Sequence, residues 1–259
     1  MFRAALQSVG AVLLVLSVAS TASAQTSPEK SDGDISFSTN AALATDYRFR
    51  GFTQTREGFA VQGGVEMTHR WMYAGAWASN VDFGKVVDRM GRVQQTADFQ
   101  VDLSTGIRPK IGNFQFDIGI SYYAYPGAYG VPQSLDYFEF KNEVKIPLPQ
   151  DLTATLAVRF SPEYSGETGQ NWGFDTNLKR TFGQYGSLKP ALSAGLSYNA
   201  GTESRGGIDY WFWNAGGSIV FADYFELDLR YWDTIDVPSH IDCTNRCDGR
   251  FVARIVFEN

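Results

Sequence analysis

Histidine and cysteine are almost missing from this 259-residue chain, which has two of each. A Ser–His hydrolase needs a histidine oriented by a third group. His69 falls in a short polar connection and His240 in a long one. Asp242 stands near enough to orient His240, but no serine beside a strand end forms a recognisable partner. Both histidines read as solvated loop residues. The stretch Asp242-Cys243-Thr244-Asn245-Arg246-Cys247-Asp248 offers too few soft ligands for a metal. In an exported chain the pair Cys243 and Cys247 forms a local disulfide. Its ring is small, so it pins a loop more than it stabilises a fold. Gly63-Gly64 and Gly206-Gly207 have no phosphate-binding motif around them, and no calcium-loop spacing is present. The sequence therefore predicts no catalytic residues, no metal and no cofactor.

Long apolar runs are also missing. Spanning a bilayer as a helix takes about 20 apolar residues, and none occurs beyond the amino terminus. There, Met1-Phe2-Arg3 is a short basic start, Val9 to Val18 an apolar core, and Ala22-Ser23-Ala24 a small-x-small cleavage site. Residues 1–24 read as a signal peptide cleaved after Ala24, and polar residues 25–34 as a flexible leader. Losing Arg3 leaves 22 minus 1, or 21, basic side chains against 28 acidic ones. That mild acidity argues against nucleic acid and against a basic membrane-surface patch. No linker or charge block divides residues 35–259, which read as one domain.

What the chain has in quantity is alternation. Twelve stretches place apolar residues at every second position: Ile35 to Phe49, Phe59 to Met67, Trp71 to Phe83, Ala97 to Ile107, Phe114 to Tyr122, Phe138 to Ile146, Leu152 to Phe160, Trp172 to Leu178, Leu188 to Tyr198, Trp211 to Phe221, Phe225 to Tyr231 and Phe251 to Phe257. None of these alternate positions holds Asp, Glu, Lys or Arg, while the positions between them carry many charges. A period of two puts each set on one face of a strand. One charge-free face and one charged face is what a barrel wall needs between lipid and a wet lumen. In hydrocarbon only closure satisfies every backbone group. The predicted fold is all-β: a single transmembrane antiparallel β-barrel of about twelve strands, of outer-membrane type. A mean hydropathy of −0.22 fits one lipid face averaged with polar loops and lumen.

Connections alternate between short and long, as in barrels with one plain and one elaborate end. With the amino terminus in the periplasm, every long loop falls on the outer surface. Aromatic residues gather at strand ends: Tyr47, Phe49, Phe59, Phe83, Trp172, Trp211 and Tyr231 at the outer ends, and Trp71, Tyr73, Phe114, Phe182, Phe221, Phe225 and Phe257 at the inner ones. Two belts of this kind mark the two headgroup layers.

Four segments, Thr45-Asp-Tyr-Arg-Phe-Arg-Gly-Phe-Thr-Gln54, Ala60-Val-Gln-Gly-Gly64, Tyr73-Ala-Gly-Ala-Trp-Ala-Ser-Asn-Val-Asp-Phe83 and Phe116-Asp-Ile-Gly-Ile-Ser-Tyr-Tyr-Ala-Tyr-Pro-Gly127, resemble the proteobacterial TorF-type porin family. The match covers residues 45 to 127, and after about residue 130 only the general style of the family continues. The resemblance implies a Gram-negative outer-membrane barrel and a pore, with no substrate attached. The Cys243–Cys247 loop is not part of that pattern.

In the same register the lumen-facing acids are Asp46, Glu66, Asp82, Asp98, Asp102, Asp117, Glu139, Glu143, Asp175, Glu226 and Asp228, and the bases Arg48, Lys141, Lys145, Arg159, Lys189, Arg230 and Arg254. Such a lumen weakly favours cations, although alternating charges such as Glu139, Lys141, Glu143 and Lys145 equally suit cross-strand pairing within the wall. Ala74, Ala76, Ala78, Gly216 and Ser218 are expected inside, leaving room for solute or for side chains such as Tyr123. The reading is passive diffusion of small hydrophilic solutes through an outer-membrane porin. Its expected partners are outer-membrane lipid, those solutes and the barrel-assembly machinery. A structural or adhesive barrel without an open pore, and a barrel-embedded hydrolase, stand as alternatives.

Overall fold

The computed structural model describes residues 35–87, 90–130 and 133–259. The expected signal peptide (1–24) and leader (25–34) lie outside the described residues. Twelve strands form the wall: β1 (Ile35–Ala44), β2 (Ala60–His69), β3 (Met72–Asn80), β4 (Phe99–Ile107), β5 (Phe114–Ala124), β6 (Tyr137–Leu148), β7 (Leu152–Ser161), β8 (Asn171–Thr181), β9 (Leu188–Gly201), β10 (Tyr210–Phe221), β11 (Phe225–Ile235) and β12 (Arg250–Glu258). Each pairs antiparallel with its neighbours in sequence, and β12 returns to β1 with Phe257 opposite Ala41 and Arg254 opposite Ala44. The sheet therefore has no free edge, the condition for a spanning β structure.

Tight turns with left-handed backbone at Arg70, Gln150–Asp151 and Ala222–Asp223 close hairpins at one end; positive φ suits the strand twist there. The connections 108–113 and 182–187 complete this short-turn end. Loop residues 45–59, 81–87, 90–98, 125–130, 133–136, 162–170, 202–209 and 236–249 form the other end. The outward apolar phase is open to the surroundings, with Val61 at 65%, Leu192 at 57% and Leu229 at 55% exposure. In water such a continuous girdle would be untenable, and in lipid it is the favoured face.

Near the long-loop end, outward aromatic rings pair across successive strands: Tyr122–Phe138 at 4.5 Å, Phe160–Trp172 at 4.4 Å, Tyr198–Trp211 at 4.7 Å and Tyr231–Phe251 at 5.0 Å. Two of their hydroxyls reach toward the loops and donate to Asp136 and Asp209. At the other end Phe221 stacks on Phe225, and Phe225 meets Phe257 at a tilt. Rings with one polar tip suit a layer that is apolar on one side and wet on the other.

Three expectations are corrected. The first strand ends at Ala44, not Phe49, because loop 45–59 turns into the barrel, so Tyr47 and Phe49 are not belt residues. The phase of β3 is reversed. Its pairing sets Gly75 beside inward Glu66 and Trp77 beside Gly64, so Tyr73 and Trp77 point inward while Ala74, Ala76 and Ala78 face lipid. Neither phase of Met72–Asn80 carries a charge, so nothing in the local pattern distinguishes its faces. The stretch predicted from Ala97 begins at Phe99. Ala97 is fully buried with Val81, Tyr125 and Tyr137 in a cluster under the long loops, against which Phe83 packs.

Candidate functional site

Loop 45–59 folds back into the barrel as a compact plug. At its tip, Arg48–Phe49 pairs with Phe52–Thr53 around a turn at Arg50–Gly51, with φ of 53° and 84°. Positive φ at both central residues is the geometry of a tight hairpin turn. Gly51 is required there by contact as well, since a Cβ would lie 2.6 Å from Thr234 Cγ2 and 2.9 Å from Phe212 Cβ. Asp46 organises the plug from within. Its carboxylate accepts from Arg48 Nε at 2.6 Å, Thr53 Oγ1 at 2.5 Å and Thr55 Oγ1 at 3.0 Å.

The plug touches the wall in several directions. Tyr47 meets Trp77 of β3 edge-on at 5.5 Å, Phe49 meets Tyr123 of β5 at 5.8 Å, and Phe52 meets Tyr210 of β10 at 5.2 Å. The Arg50 guanidinium forms an ion pair with Glu139 of β6 and donates to Asn199 Oδ1 of β9 at 3.4 Å. It also lies 4.9 Å from the Phe49 ring centre and 5.2 Å from that of Tyr164. The Tyr210 hydroxyl donates to the Arg50 carbonyl at 3.0 Å. Burial is the largest influence on Arg50 and opposes its charge, but the Glu139 carboxylate together with the surrounding Tyr164, Tyr137 and Tyr123 holds its pKa above the ordinary value. Asp46, Arg48, Arg50, Glu139 and Gln100 are all buried. At this level the plug and these wall side chains pack together and form a septum in the lumen.

On the long-loop side of the septum lies a cavity of about 1000 Å³. The plug supplies Phe49, Arg50 and Phe52 to it, and the wall and outer loops supply Tyr164, Asn171 and Asn199. The amides of Asn171 and Asn199 bond each other at 3.0 Å, which fixes their orientation. Asp82 also lines this cavity. It sits beyond the end of β3 and accepts from the Gly84 amide at 2.9 Å, so it is a loop residue rather than a wall residue. Asp98 precedes β4 and is exposed. Asp46 and Arg48 belong to the plug.

On the short-turn side the inward charges are partly exposed and joined in networks. Lys141 Nζ donates to Asp117 at 2.8 Å, and Arg108 reaches up from its turn to Glu66 at 2.5 and 2.8 Å and to Asp117 at 3.2 Å. The Arg108 guanidinium also covers the Tyr73 ring at 3.8 Å, and the Tyr73 hydroxyl donates to Asp117 at 2.8 Å. Tyr73 fits because Gly106 and Gly119 lie beneath it; a Cβ on Gly119 would come 2.4 Å from its hydroxyl oxygen. Across the lumen, Arg159 donates to Asp175 at 2.5 Å and lies 3.9 Å from Glu139. Arg230 binds Asp228, Asn214 and Ser193. Asp102 accepts from Gln100 at 2.8 Å. Glu226 faces inward between Val220 and Val256 of the adjacent strands.

Sequence reasoning missed Arg50, Arg108, Tyr73 and Tyr210. The first two lie in segments read as connections, and only tertiary contact carries them to the lumen. Tyr73 was assigned to the wrong face of a strand with no charge contrast. The plug carries no separate signal, because the alternation of Asp46, Arg48 and Arg50 with aromatic residues continues the strand pattern. The cysteines form the expected bridge, Cys243–Cys247.

Among the described residues no helix is long and apolar enough to cross a membrane and no cluster of candidate metal ligands occurs. Among solved structures, the fold is similar to a KdgM porin (TM-score 0.56, 9% identity, covering 85% of this chain and 98% of that one). It is also similar to a KdgM porin in complex with disordered oligogalacturonate (TM-score 0.54, 8% identity, 85% and 97%). A third similar structure is CdiB from Escherichia coli (TM-score 0.51, 7% identity, 86% and 63%). At these identities the likeness is one of fold, an outer-membrane-type β-barrel. No curated protein matches the sequence. The family described as "Bacterial protein of unknown function (Gcw_chp)" matches residues 28–257, nearly the whole chain, and the protein belongs to that family.

Proposed function

We propose that the protein is a porin-like channel of the bacterial outer membrane, passing small hydrophilic solutes by diffusion past a septum made by loop 45–59. One observation carries this reading. A lipid-compatible wall encloses a charged interior that water reaches from the short-turn end, and a cavity of about 1000 Å³ reaches it from the other. Among the described residues, a non-covalently held loop and the wall side chains packed against it, Glu139 and Gln100 among them, lie between. The resemblance to TorF-type porins supports it, since residues 45–54, one of the segments carrying that likeness, form this loop.

The cavity is of the size that takes a small organic ligand, roughly 300–1,000 Å³. Its lining of Phe, Tyr and Asn side chains, mixed with the charged Arg50, Arg56, Arg246, Glu57, Asp82 and Asp242, suits polar solutes with an apolar face and many hydroxyls, such as short saccharides. The similar barrel solved with an oligogalacturonate agrees with that class. Cation preference is slight. With Asp46, Asp82 and Asp98 off the wall, the inward acids are Glu66, Asp102, Asp117, Glu139, Glu143, Asp175, Glu226 and Asp228. The inward bases are Lys141, Lys145, Arg159, Lys189, Arg230, Arg254 and the turn residue Arg108. The acidic excess therefore nearly vanishes, and so does the bias it would impose.

Single-channel recording in planar bilayers, with liposome swelling in saccharide solutions, tests the proposal. Conductance with saccharide-driven swelling is expected. A folded, heat-modifiable barrel that neither conducts nor swells liposomes refutes it and favours a structural or adhesive barrel.

A further inference from the structure

The plug is held unevenly. Its turn meets the wall through Arg50 and ring contacts, but the strand pair behind the turn is fixed by main-chain carbonyls of one outer loop, 236–249. Arg48 Nη1 donates to the carbonyls of Arg246 at 3.4 Å and Asp248 at 3.2 Å, while also bonding Gly51 O at 3.1 Å. The Thr53 amide donates to the same Arg246 carbonyl at 2.8 Å. Glu57 pairs with Arg250, where that loop enters β12. Between the two receiving carbonyls lies Cys247, which is fully buried, and whose carbonyl accepts from Thr234 Oγ1 of β11 at 2.8 Å.

The Cys243–Cys247 bridge shapes this receiver. It closes a single turn in which the Cys243 carbonyl takes the amides of Arg246 at 2.9 Å, Cys247 at 3.1 Å and Asp248 at 3.3 Å. Each amide is antiparallel to the carbonyl of the residue before it, so with the amides of Cys247 and Asp248 directed at Cys243 the carbonyls of Arg246 and Cys247 point the other way, toward Arg48, Thr53 and Thr234. A short polar loop without the cross-link would sample many conformations, and few of them would align these acceptors.

We propose that the Cys243–Cys247 disulfide is the mount of the septum: it positions the carbonyls that hold Arg48 and Thr53, and so sets how firmly loop 45–59 stays in the lumen. Arg48 and the two cysteines are positioning residues for the channel. Reduction in situ by a thiol reductant, which takes two electrons and two protons from the reagent to give two thiols, loosens the plug without touching the wall. The idea rests on the porin reading for its conductance arm only.

Two readouts separate the failures. The first is single-channel recording of the wild type with and without dithiothreitol, of Cys243→Ser/Cys247→Ser, and of Arg48→Ala. The second is tryptic cleavage after Arg48, Arg50 and Arg56 in folded protein reconstituted in liposomes, read by mass spectrometry. Loss of the mount is expected to raise cleavage at Arg50, and at Arg48 where that residue is kept, on the order of tenfold, the scale of a small-ring cross-link, and to add open-channel substates. Arg205→Ala, which removes an exposed pair with Glu163, is expected to leave cleavage at Arg48 and Arg50 and the recordings unchanged. Wild-type cleavage rates in the reduced protein and the double-serine variant, with heat modifiability intact, overturn the proposal. Increased cleavage from a barrel that never conducts would uphold the mount and refute the porin.

Discussion

Glu139→Gln perturbs the tip of the plug while keeping its shape. In the native barrel the Arg50 and Glu139 side chains are 4% and 3% exposed, so their pairing takes place away from water. Removing one partner of a buried pair costs about 3–5 kcal/mol, because the other charge is left uncompensated. Arg159 lies 3.9 Å from Glu139 and loses an attractive neighbour, which adds a little to the cost, but glutamine still offers Arg50 one acceptor. The lower figure, about 3 kcal/mol, is therefore the one to use. The barrel need not unfold to relieve the strain, because Arg50 sits on a loop that can swing toward water. The whole cost then falls on the equilibrium between plug seated and plug released. At 1.4 kcal/mol per tenfold, the released population rises roughly a hundredfold. Planar-bilayer recordings read this as longer or more frequent high-conductance states. Arg50→Met in the same background removes the orphaned charge and is expected to restore most of the closure, giving a coupling energy by double-mutant cycle. Wild-type traces from a folded Glu139→Gln barrel would refute the view that this pair holds the septum.

Gly51→Val places a branched side chain at φ 84° against Thr234 and Phe212. A cost of about 1–3 kcal/mol is expected to unseat the tip, seen as faster tryptic cleavage at Arg50; an unchanged rate would count against the packed septum. Arg108→Gln removes one positive charge from the short-turn lumen and leaves Glu66 and Asp117 without it. The group is about one-third exposed, so the stability loss is only about 1 kcal/mol after screening, and the clearer signal is a reversal potential shifted toward cations. Gly119→Ala drives a methyl into the Tyr73 hydroxyl and is expected to lower the urea midpoint of the reconstituted barrel by about 1–3 kcal/mol equivalent, with Tyr73→Phe milder. In the outer loops, the Gly169 amide and then Arg205 hold the Glu163 carboxyl below its ordinary value of 4.5. Its contribution is therefore complete above that value and is lost as pH falls through the depressed one. The Gly169 amide resonance should titrate with a midpoint below 4.5, and Glu163→Gln should abolish the transition.

The wall was legible because lipid and water impose opposite demands on alternate residues. Leu188 to Tyr198 and Phe225 to Tyr231 show it plainly: outward Leu192 and Leu229 are exposed to the surroundings, while inward Asp228 and Arg230 bond each other. β3 was misread because the signal is a contrast in charge, and Met72–Asn80 has none. Its faces are decided by neighbours far along the chain, Asp117 for the Tyr73 hydroxyl and Tyr47 for Trp77. Loop 45–59 was misread for a related reason. Its alternating Tyr47, Arg48, Phe49 and Arg50 continue the strand pattern, and no local rule marks where a strand leaves the wall.

By itself the sequence determined the strand number, most lipid-facing residues outside β3 and the ends of two other strands, the alternation of loop lengths and the disulfide. These follow from periodicity and from short-range chemistry, which are properties of neighbours in the chain. Tertiary structure alone decided what fills the interior. Arg50 finds Glu139, Arg108 finds Glu66, and Arg48 finds carbonyls some two hundred residues away. A buried charge takes whichever partner the closed barrel brings within reach, and closure is a property of all twelve strands together.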